Sequence, residues 1–283
     1  MNFKDLIAEL FGFDKTILDL NVQLRNLDIQ SQSDKQLIDQ KNQEIELQKE
    51  EIRNLNAKII IPDQLEDYWN NKYNKASITY EGRSLPFSKD KCVVPVNVLI
   101  TPSDPFIIED LKKWNLYRTG EDPETLIPKI YQKIHDTYYN YDYDKNVWGV
   151  DEVWEFPFEM RDKAGSGKWA YDCDSWSGLI LSYYIAAGIP RWRVRVVAGM
   201  CSLGGHSTVY CFSKTTNKWH HTNSTYGLIY DVLAKYPVHD DAVSESNPKG
   251  RDALGIYNVW FSYNDLYAWY RLDEDLPKEV KKI

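Results

Sequence analysis

Cys173 is the residue of this chain whose type and position best suit nucleophilic chemistry. Apolar side chains recur at helical spacing directly after it, and Gly188-Ile189-Pro190 supplies a stop signal, so a helix is predicted over about 173–187. Cys173 therefore stands at a helix N-terminus. The free N–H groups and the positive dipole end there lower the pKa of a thiol and can stabilise an oxyanion. The sequence thus predicts an activated thiol.

A base and an orienting group follow Cys173 along the chain. Residues 191–200 alternate between apolar and basic side chains, which predicts a strand, and His206 begins a second strand after a glycine-containing turn. A hairpin then leads into residues 218–223, which end at Asn223. This order of helix, strand and strand can bring a thiol, an imidazole and an amide together.

These motifs resemble the transglutaminase-like family of papain-like cysteine proteins over about residues 120–232. The shared features are an acid-flanked cysteine, a helix closing with Gly-Ile-Pro, a histidine after two glycines, and a tryptophan four residues before the third member: Asp172-Cys173-Asp174, Gly188-Ile189-Pro190, His206, and Trp219 with Asn223. Upstream, the run from Glu152 to Glu159 resembles the Trp-x-x-Pro-x-Glu element of bacterial and phage members. The resemblance implies an α+β fold whose nucleophile helix packs on an antiparallel sheet.

The resemblance also implies a catalytic triad. Cys173 would attack an amide carbonyl of a peptide or protein substrate, His206 would take and return the proton, and Asn223 would orient the imidazole. The resulting thioester gives hydrolysis with water or transamidation with an amine. The family usually has Asp where this chain has Asn223, and an amide offers no negative charge to an imidazolium. Trp154 and Trp169 are candidates for a second oxyanion donor beside the Cys173 N–H.

The remaining cysteines and histidines are expected to be structural. Three cysteines without disulfide or metal spacing are predicted to be small buried side chains: Cys92, Cys201 and Cys211. Strand alternation would send His220 and His221 to opposite faces, which disfavours zinc. Asp172 and Asp174 flank a helix start and lack a calcium-loop pattern. We therefore expect neither a metal nor a cofactor.

A seven-residue apolar pattern runs through residues 17–61. Nine of its thirteen a and d positions are apolar and no Pro or Gly interrupts it, so a helix of roughly 65 Å is predicted at ~1.5 Å per residue. Because a lone helix with so narrow an apolar stripe is unstable in water, we expect self-association through a coiled coil over 17–59. The apolar positions favour two strands, whereas Asp34, Lys41 and Gln48 at d leave three open. The alternative is docking on its own globular domain or on another protein.

The pattern divides the chain into three parts. Residues 1–16 are predicted to form a short amphipathic segment, residues 17–61 the coiled coil, and residues 62–283 the transglutaminase-like domain. Within that domain, residues 236–283 read as a C-terminal extension. A strand is also predicted from Cys92 to Ile100.

Composition excludes several classes of function. The 42 acidic and 34 basic residues give a net charge of −8, so attraction to nucleic acid or to anionic membranes is not expected. No segment has the length and apolar character of a membrane span, and the N-terminus lacks a signal-peptide pattern. With so few cysteines, a reducing setting is predicted, either cytoplasmic or virion-associated.

Two main functions remain open on the sequence. The preferred hypothesis is an oligomeric thiol enzyme that cleaves or exchanges amide bonds. The alternative is a structural or attachment protein, for example a phage virion component, whose transglutaminase-like domain is weak or inactive. A third is a regulatory module that binds peptides in the cleft. Thiol reactivity that depends on His206 would favour the enzyme over both others.

Overall fold

The computed structural model has a mixed α+β architecture of helices and antiparallel strands, with a helical N-terminus. It describes residues 2–11, 15–59, 65–72, 74–85, 88–164, 171–201, 204–222, 237–239, 256, 258–270 and 276–282. The chain forms two compact units, Met1–Pro62 and Asp63–Ile283. None of the helices within the described ranges combines the length and apolar character that crossing a bilayer requires.

The first unit contains two helices, α1 (Phe3–Phe11) and α2 (Lys15–Ile59). α2 is 45 residues long, which corresponds to about 68 Å at 1.5 Å per residue. Side chains at its a and d positions are exposed: Ile17, Leu20, Leu24, Leu27, Ile38 and Ile45. The side chains at positions 52, 55 and 59 of the predicted register lie outside the described residues. The described part of α2 thus presents a long apolar stripe to solvent.

The second unit contains the helices around the cysteine. In chain order these are α3 (Leu65–Asn71), α4 (Pro105–Lys113), α5 (Pro123–Tyr138), α6 (Asp144–Trp148), α7 (Pro157–Ala164) and α8 (Cys173–Ala186). α5 begins at Pro123 because the Asp122 carboxylate caps it by accepting the Glu124 N–H at 2.7 Å.

An antiparallel sheet forms the other half of this unit. Its strands are β1 (Asn74–Ala76), β4 (Val194–Cys201), β5 (Gly204–Ser213), β6 (Lys218–Thr222), β7 (Pro237–His239), β8 (Asn258–Tyr263) and β9 (Ala268–Tyr270), in the spatial order β1-β9-β8-β4-β5-β6-β7. A smaller sheet of β2 (Ile78–Tyr80), β3 (Val94–Pro95) and β10 (Val280–Lys282) has the order β10-β2-β3. The β4–β5 register pairs Gly199 with His206.

α8 is enclosed by the rest of the unit. Its residues 174–186 are all buried, and it packs against β4 and β5 of the sheet and against α4, α5 and α7. The sequence predicted a single apolar face, but serines also fit inside because their hydroxyls are paired. The Ser177 hydroxyl donates to the Cys173 carbonyl at 2.6 Å, and the Ser182 hydroxyl donates to the Gly178 carbonyl at 2.7 Å.

Two segments differ from their sequence-based descriptions. Residues 258–270, placed in a C-terminal extension, supply β8 and β9, which lie between β1 and β4 within the main sheet. The strand predicted from Cys92 to Ile100 is reduced to the two residues of β3, followed by a 3₁₀ turn at Val96–Leu99. Pro95 lacks the N–H that would continue a ladder, which accounts for this early end.

Gly199 is needed for the close approach of β8 to β4. A Cβ at this position would lie 2.3 Å from the Asn258 carbonyl oxygen and 2.5 Å from Ile256 Cγ2, and the β4–β8 register is irregular at this point. Gly199 also pairs with His206 of β5. The close approach of β8 to β4 therefore lies directly beside the strand that carries the imidazole.

Replacing Gly199 should therefore destabilise the domain. We expect Gly199→Ala to lower the free energy of unfolding by roughly 1–3 kcal/mol through overpacking, measured by urea denaturation. Gly178→Ala in α8 is the matched control, because its Cβ would meet the nearest atom, the Leu99 carbonyl oxygen, at an ordinary 3.5 Å. Alanine favours a helix over glycine by about 0.5–1 kcal/mol, so this variant should be unchanged or more stable. Equal losses in both variants would contradict the assignment.

Candidate active site

Cys173 begins α8 and borders a cavity of about 330 Å³. Asp172 is the N-cap residue in extended backbone, and its carbonyl accepts the Trp176 N–H at 3.1 Å. The peptide N–H groups of the first helical turn therefore lie at the cavity end of α8, where a helix N-terminus favours negative charge. The position at a helix start agrees with the sequence-based prediction.

His206 borders the same cavity from β5, where its side chain is buried. Its neighbour Ser207 uses its backbone N–H to hydrogen-bond the Cys173 thiol group. Two of the three residues predicted for the triad thus come together at one cavity. Asn223, the predicted third member, and Trp169 lie outside the described residues.

The surroundings of Cys173 hold its thiol in the neutral form. Burial is the main cause that raises its pKa well above the ordinary value, and the charges of Asp172 and Asp174 add to that effect, whereas the Ser207 N–H favours the thiolate. The sequence-based expectation of a lowered pKa was wrong. It counted the helix dipole but not the enclosure of the helix end between two carboxyl groups.

Carboxyl groups crowd this end of α8. Burial, followed by the charge of Asp172, raises the pKa of Glu152 to about 7 and that of Asp144 to about 9. Burial and the same charge hold the pKa of Asp174 well above its ordinary value. Asp144 is fixed because its Oδ2 accepts the Val153 N–H at 2.6 Å. Ionising all of these groups would place like charges in a poorly hydrated space, so some remain protonated at neutral pH.

The same cluster contains potential metal ligands. Asp172, Cys173 and Asp174 each offer one ligand atom, and these three atoms lie within 4.8 Å of one another. Two carboxylate oxygens and a sulfur are three of the ligands that a metal site would need. Calcium takes six to eight oxygen ligands and zinc takes four nitrogen, sulfur or oxygen ligands.

Aromatic side chains form other parts of the cavity wall. The rings of Tyr80 and Trp154 stack with centroids 4.3 Å apart, and both residues border the cavity. Trp260 lies over Gly205, where a Cβ would approach its Cη2 to 3.2 Å. The indole N–H of Trp154 donates to the Glu152 carboxylate. This bond uses the donor that the sequence had offered as a candidate for the oxyanion hole.

Arg83 holds the Trp154 segment in place. Its buried side chain donates through Nε to the Trp154 carbonyl at 3.0 Å and through one terminal nitrogen to both oxygens of Glu159 at 2.7 Å. Trp154 has a φ of +50°, which is unusual for a bulky residue and is sustained only by such surrounding contacts. The Trp-x-x-Pro-x-Glu element thereby gains a physical role, because its Trp borders the cavity and its Glu binds the arginine that positions the Trp.

Sequence reasoning missed the residues that come from the two ends of this unit. Tyr80 reaches the cavity from β2, and Glu279 and Val280 reach it at the start of β10. Arg83 was also missed. No local motif marks Tyr80, Glu279 and Val280, since they join the site through pairing of β10 with β2, which are far apart in sequence.

Comparison with known proteins gives remote structural similarity alone. No family model and no curated protein matches the chain. Solved structures of LapG from Legionella pneumophila align with TM-scores of 0.39 and, after EGTA treatment, 0.40, both at 14% identity. These cover 62% and 64% of this chain and 85% and 86% of LapG. The calcium-bound structure aligns with a TM-score of 0.37 at 13% identity, over 58% of this chain and 74% of LapG. LapG is a transglutaminase-like cysteine protease, but similarity this remote assigns no activity here.

Proposed function

We propose that the Asp63–Ile283 unit is a transglutaminase-like thiol enzyme that hydrolyses or transfers the acyl group of an amide in a peptide or protein. The observation that carries this proposal is the meeting of Cys173 and His206 at one cavity. The cysteine begins an enclosed helix and the histidine lies on the strand packed against it. Nucleophile and base on rigid elements beside a cavity of substrate size are what acyl transfer requires.

In the proposed reaction His206 accepts the thiol proton as the sulfur attacks the carbonyl carbon. The raised pKa of the Cys173 thiol places this proton transfer in the attack step, because the resting thiol is neutral. The C=O electron pair moves to oxygen, and the Cys173 N–H at the start of α8 stabilises that charge. Collapse expels the amine, which takes the proton from His206 and leaves a thioester on sulfur.

The thioester then reacts with water or with an amine. His206 removes a proton from the attacking molecule and returns it to the sulfur as the acyl group leaves, so Cys173 is regenerated as a thiol. Water gives hydrolysis and an amine gives transamidation. Asn223 is proposed to orient His206, as an amide can accept the imidazole N–H without carrying a charge.

A chromogenic ester tests this proposal without knowledge of the natural substrate. p-Nitrophenyl acetate should acetylate Cys173 with a burst of p-nitrophenolate, and intact-protein and peptide mass spectrometry should locate the acetyl group on this residue. Cys173→Ala should abolish the burst. His206→Gln should slow it by about 10²–10⁴-fold, the usual contribution of a general base. Added glycinamide should divert the acetyl group to the amine if the enzyme is a transferase.

The control for His206→Gln is His135→Gln. His135 lies on α5 and does not border the cavity, so its replacement should leave the burst rate unchanged. Acetylation of Cys173 at the same rate in the His206→Gln and native proteins would sink the proposed role of His206. Absence of any acetylation at Cys173 would favour the structural alternative.

We also propose that the first unit joins copies of the chain through α2. The exposed apolar stripe of α2 carries Leu24 and Ile45 at a positions, with 62% and 45% of their surface exposed. Two ion pairs within α2, Lys41 with Glu44 and Lys49 with Glu46, are exposed and contribute little. Because the stripe has a heptad period, an identical helix is its natural partner. An attachment function could use this assembly with or without catalysis.

Charges placed in the stripe should separate the copies. We expect the full chain to sediment as a dimer or trimer in analytical ultracentrifugation, and Leu24→Asp with Ile45→Asp to sediment as a monomer, because burying carboxylates in a coiled-coil seam is costly. Gln36→Asp with Gln43→Asp is the matched control, since both glutamines are exposed and lie outside the a and d positions. A native protein that sediments as a monomer at high concentration would contradict self-association.

A further inference from the structure

The ionisable groups that border the cavity beside Cys173 are mostly acidic. Four carboxyl side chains border it, those of Glu152, Asp172, Asp174 and Glu279. No lysine or arginine is among the described residues that border it, and His206 is the one basic group there. Lys91 does not border the cavity, but its positive charge favours the ionised form of Glu152. Its ammonium donates to the Gly82 carbonyl and the Ser84 hydroxyl.

The walls between these carboxyl groups are aromatic. Tyr80 and Trp154 form a stacked pair, and Tyr141, Trp260 and Phe261 also border the space. Aromatic faces attract organic cations through their quadrupoles and pack against methylene groups. A hydrated divalent ion takes oxygen ligands and would gain nothing from these aromatic walls. The carboxyl groups and the aromatic rings together therefore suit a ligand with a cationic group on a hydrocarbon chain.

We propose that this cavity binds the cationic side chain of a lysine or arginine that flanks the amide attacked by Cys173. The inference rests on the proposed function and specifies its substrate class. Glu279 at the cavity's outer side, with an exposed side chain, and the more enclosed Glu152 and Asp174 would face the cation, while Tyr80 and Trp154 would pack along its stem.

The ionisation of the carboxyl groups supports this substrate class. Burial and the charge of Asp172 raise the pKa of Glu152 to about 7, so this carboxyl group carries a proton part of the time at neutral pH, and a cation can replace that proton. A bound cation favours the carboxylate forms, which lowers their pKa values and releases protons.

Three amino-acid amides, one cationic and two neutral, provide the test. Nα-acetyl-lysinamide, Nα-acetyl-norleucinamide and Nα-acetyl-glutamine amide share the backbone, and calcium chloride serves as the metal probe. The readout is the thermal midpoint of the Cys173→Ala protein, which does not depend on thiol reactivity. We expect the lysine derivative to raise the midpoint and the two neutral amides to leave it unchanged. An equal rise of the midpoint with the norleucine and lysine derivatives, or a rise with calcium chloride alone, would overturn the proposal.

A second readout uses the native thiol. About 10 mM Nα-acetyl-lysinamide should slow iodoacetamide labelling of Cys173 about threefold. This is the slowing expected if the bound ligand blocks labelling and its dissociation constant is near 5 mM. Glu279→Gln should remove most of this protection. Glu109→Gln, an exposed glutamate on α4 away from the cavity, should retain it.

The two proposals can fail separately. If Cys173 forms an acyl-enzyme but lysinamide neither shifts the midpoint nor protects the thiol, the substrate class is wrong and the enzyme proposal stands. If Cys173 is inert to acylation while lysinamide raises the midpoint of the Cys173→Ala protein, the cation site stands and the proposed catalysis fails.

Discussion

The enclosure of the N-terminus of α8 is the constraint on which the site depends. Because the sheet and three helices surround α8, its first residue places a thiol among carboxyl groups that water hydrates poorly. Burial and the nearby acids favour the neutral thiol over the thiolate, even though the helix dipole acts in the opposite direction. The proposed chemistry would therefore depend on a base that removes the proton during attack, which is the role proposed for His206 at the same cavity.

The rest of the domain fixes the walls of that cavity. Gly199 lets β8 approach β4 beside the residue paired with His206. Arg83 binds the Trp154 carbonyl and Glu159, and so maintains a tryptophan in a backbone conformation that it rarely adopts alone. β2 and β10 are far apart in sequence but pair with each other, so both ends of this unit contribute to the cavity. Local changes at such supports should alter the site without touching the thiol.

The sequence predicted the helices and strands that are marked by a local hydrophobic period or by a start or stop signal. The start of α8 at Cys173, the α+β class and the position of His206 at the beginning of a strand follow from local patterns. Tyr80 and Glu279 could not be predicted, because long-range strand pairing brings them to the site. Arg83 was missed because its partners, Trp154 and Glu159, lie far from it in sequence. The direction of the Cys173 pKa shift was missed for a related reason. Burial of the helix end is a property of the tertiary structure, whereas the dipole can be inferred from the helix alone.

The most direct test of the neutral-thiol mechanism is the ultraviolet absorbance of the Cys173 thiolate, taken as the difference between native and Cys173→Ala proteins across pH. A raised pKa predicts no thiolate signal at neutral pH and a signal that appears above the ordinary thiol value of about 8.5. Asp172→Asn should move this transition to lower pH, because it removes a negative charge beside the sulfur. A full thiolate signal at neutral pH that disappears in His206→Ala would instead show a preformed ion pair and contradict the account.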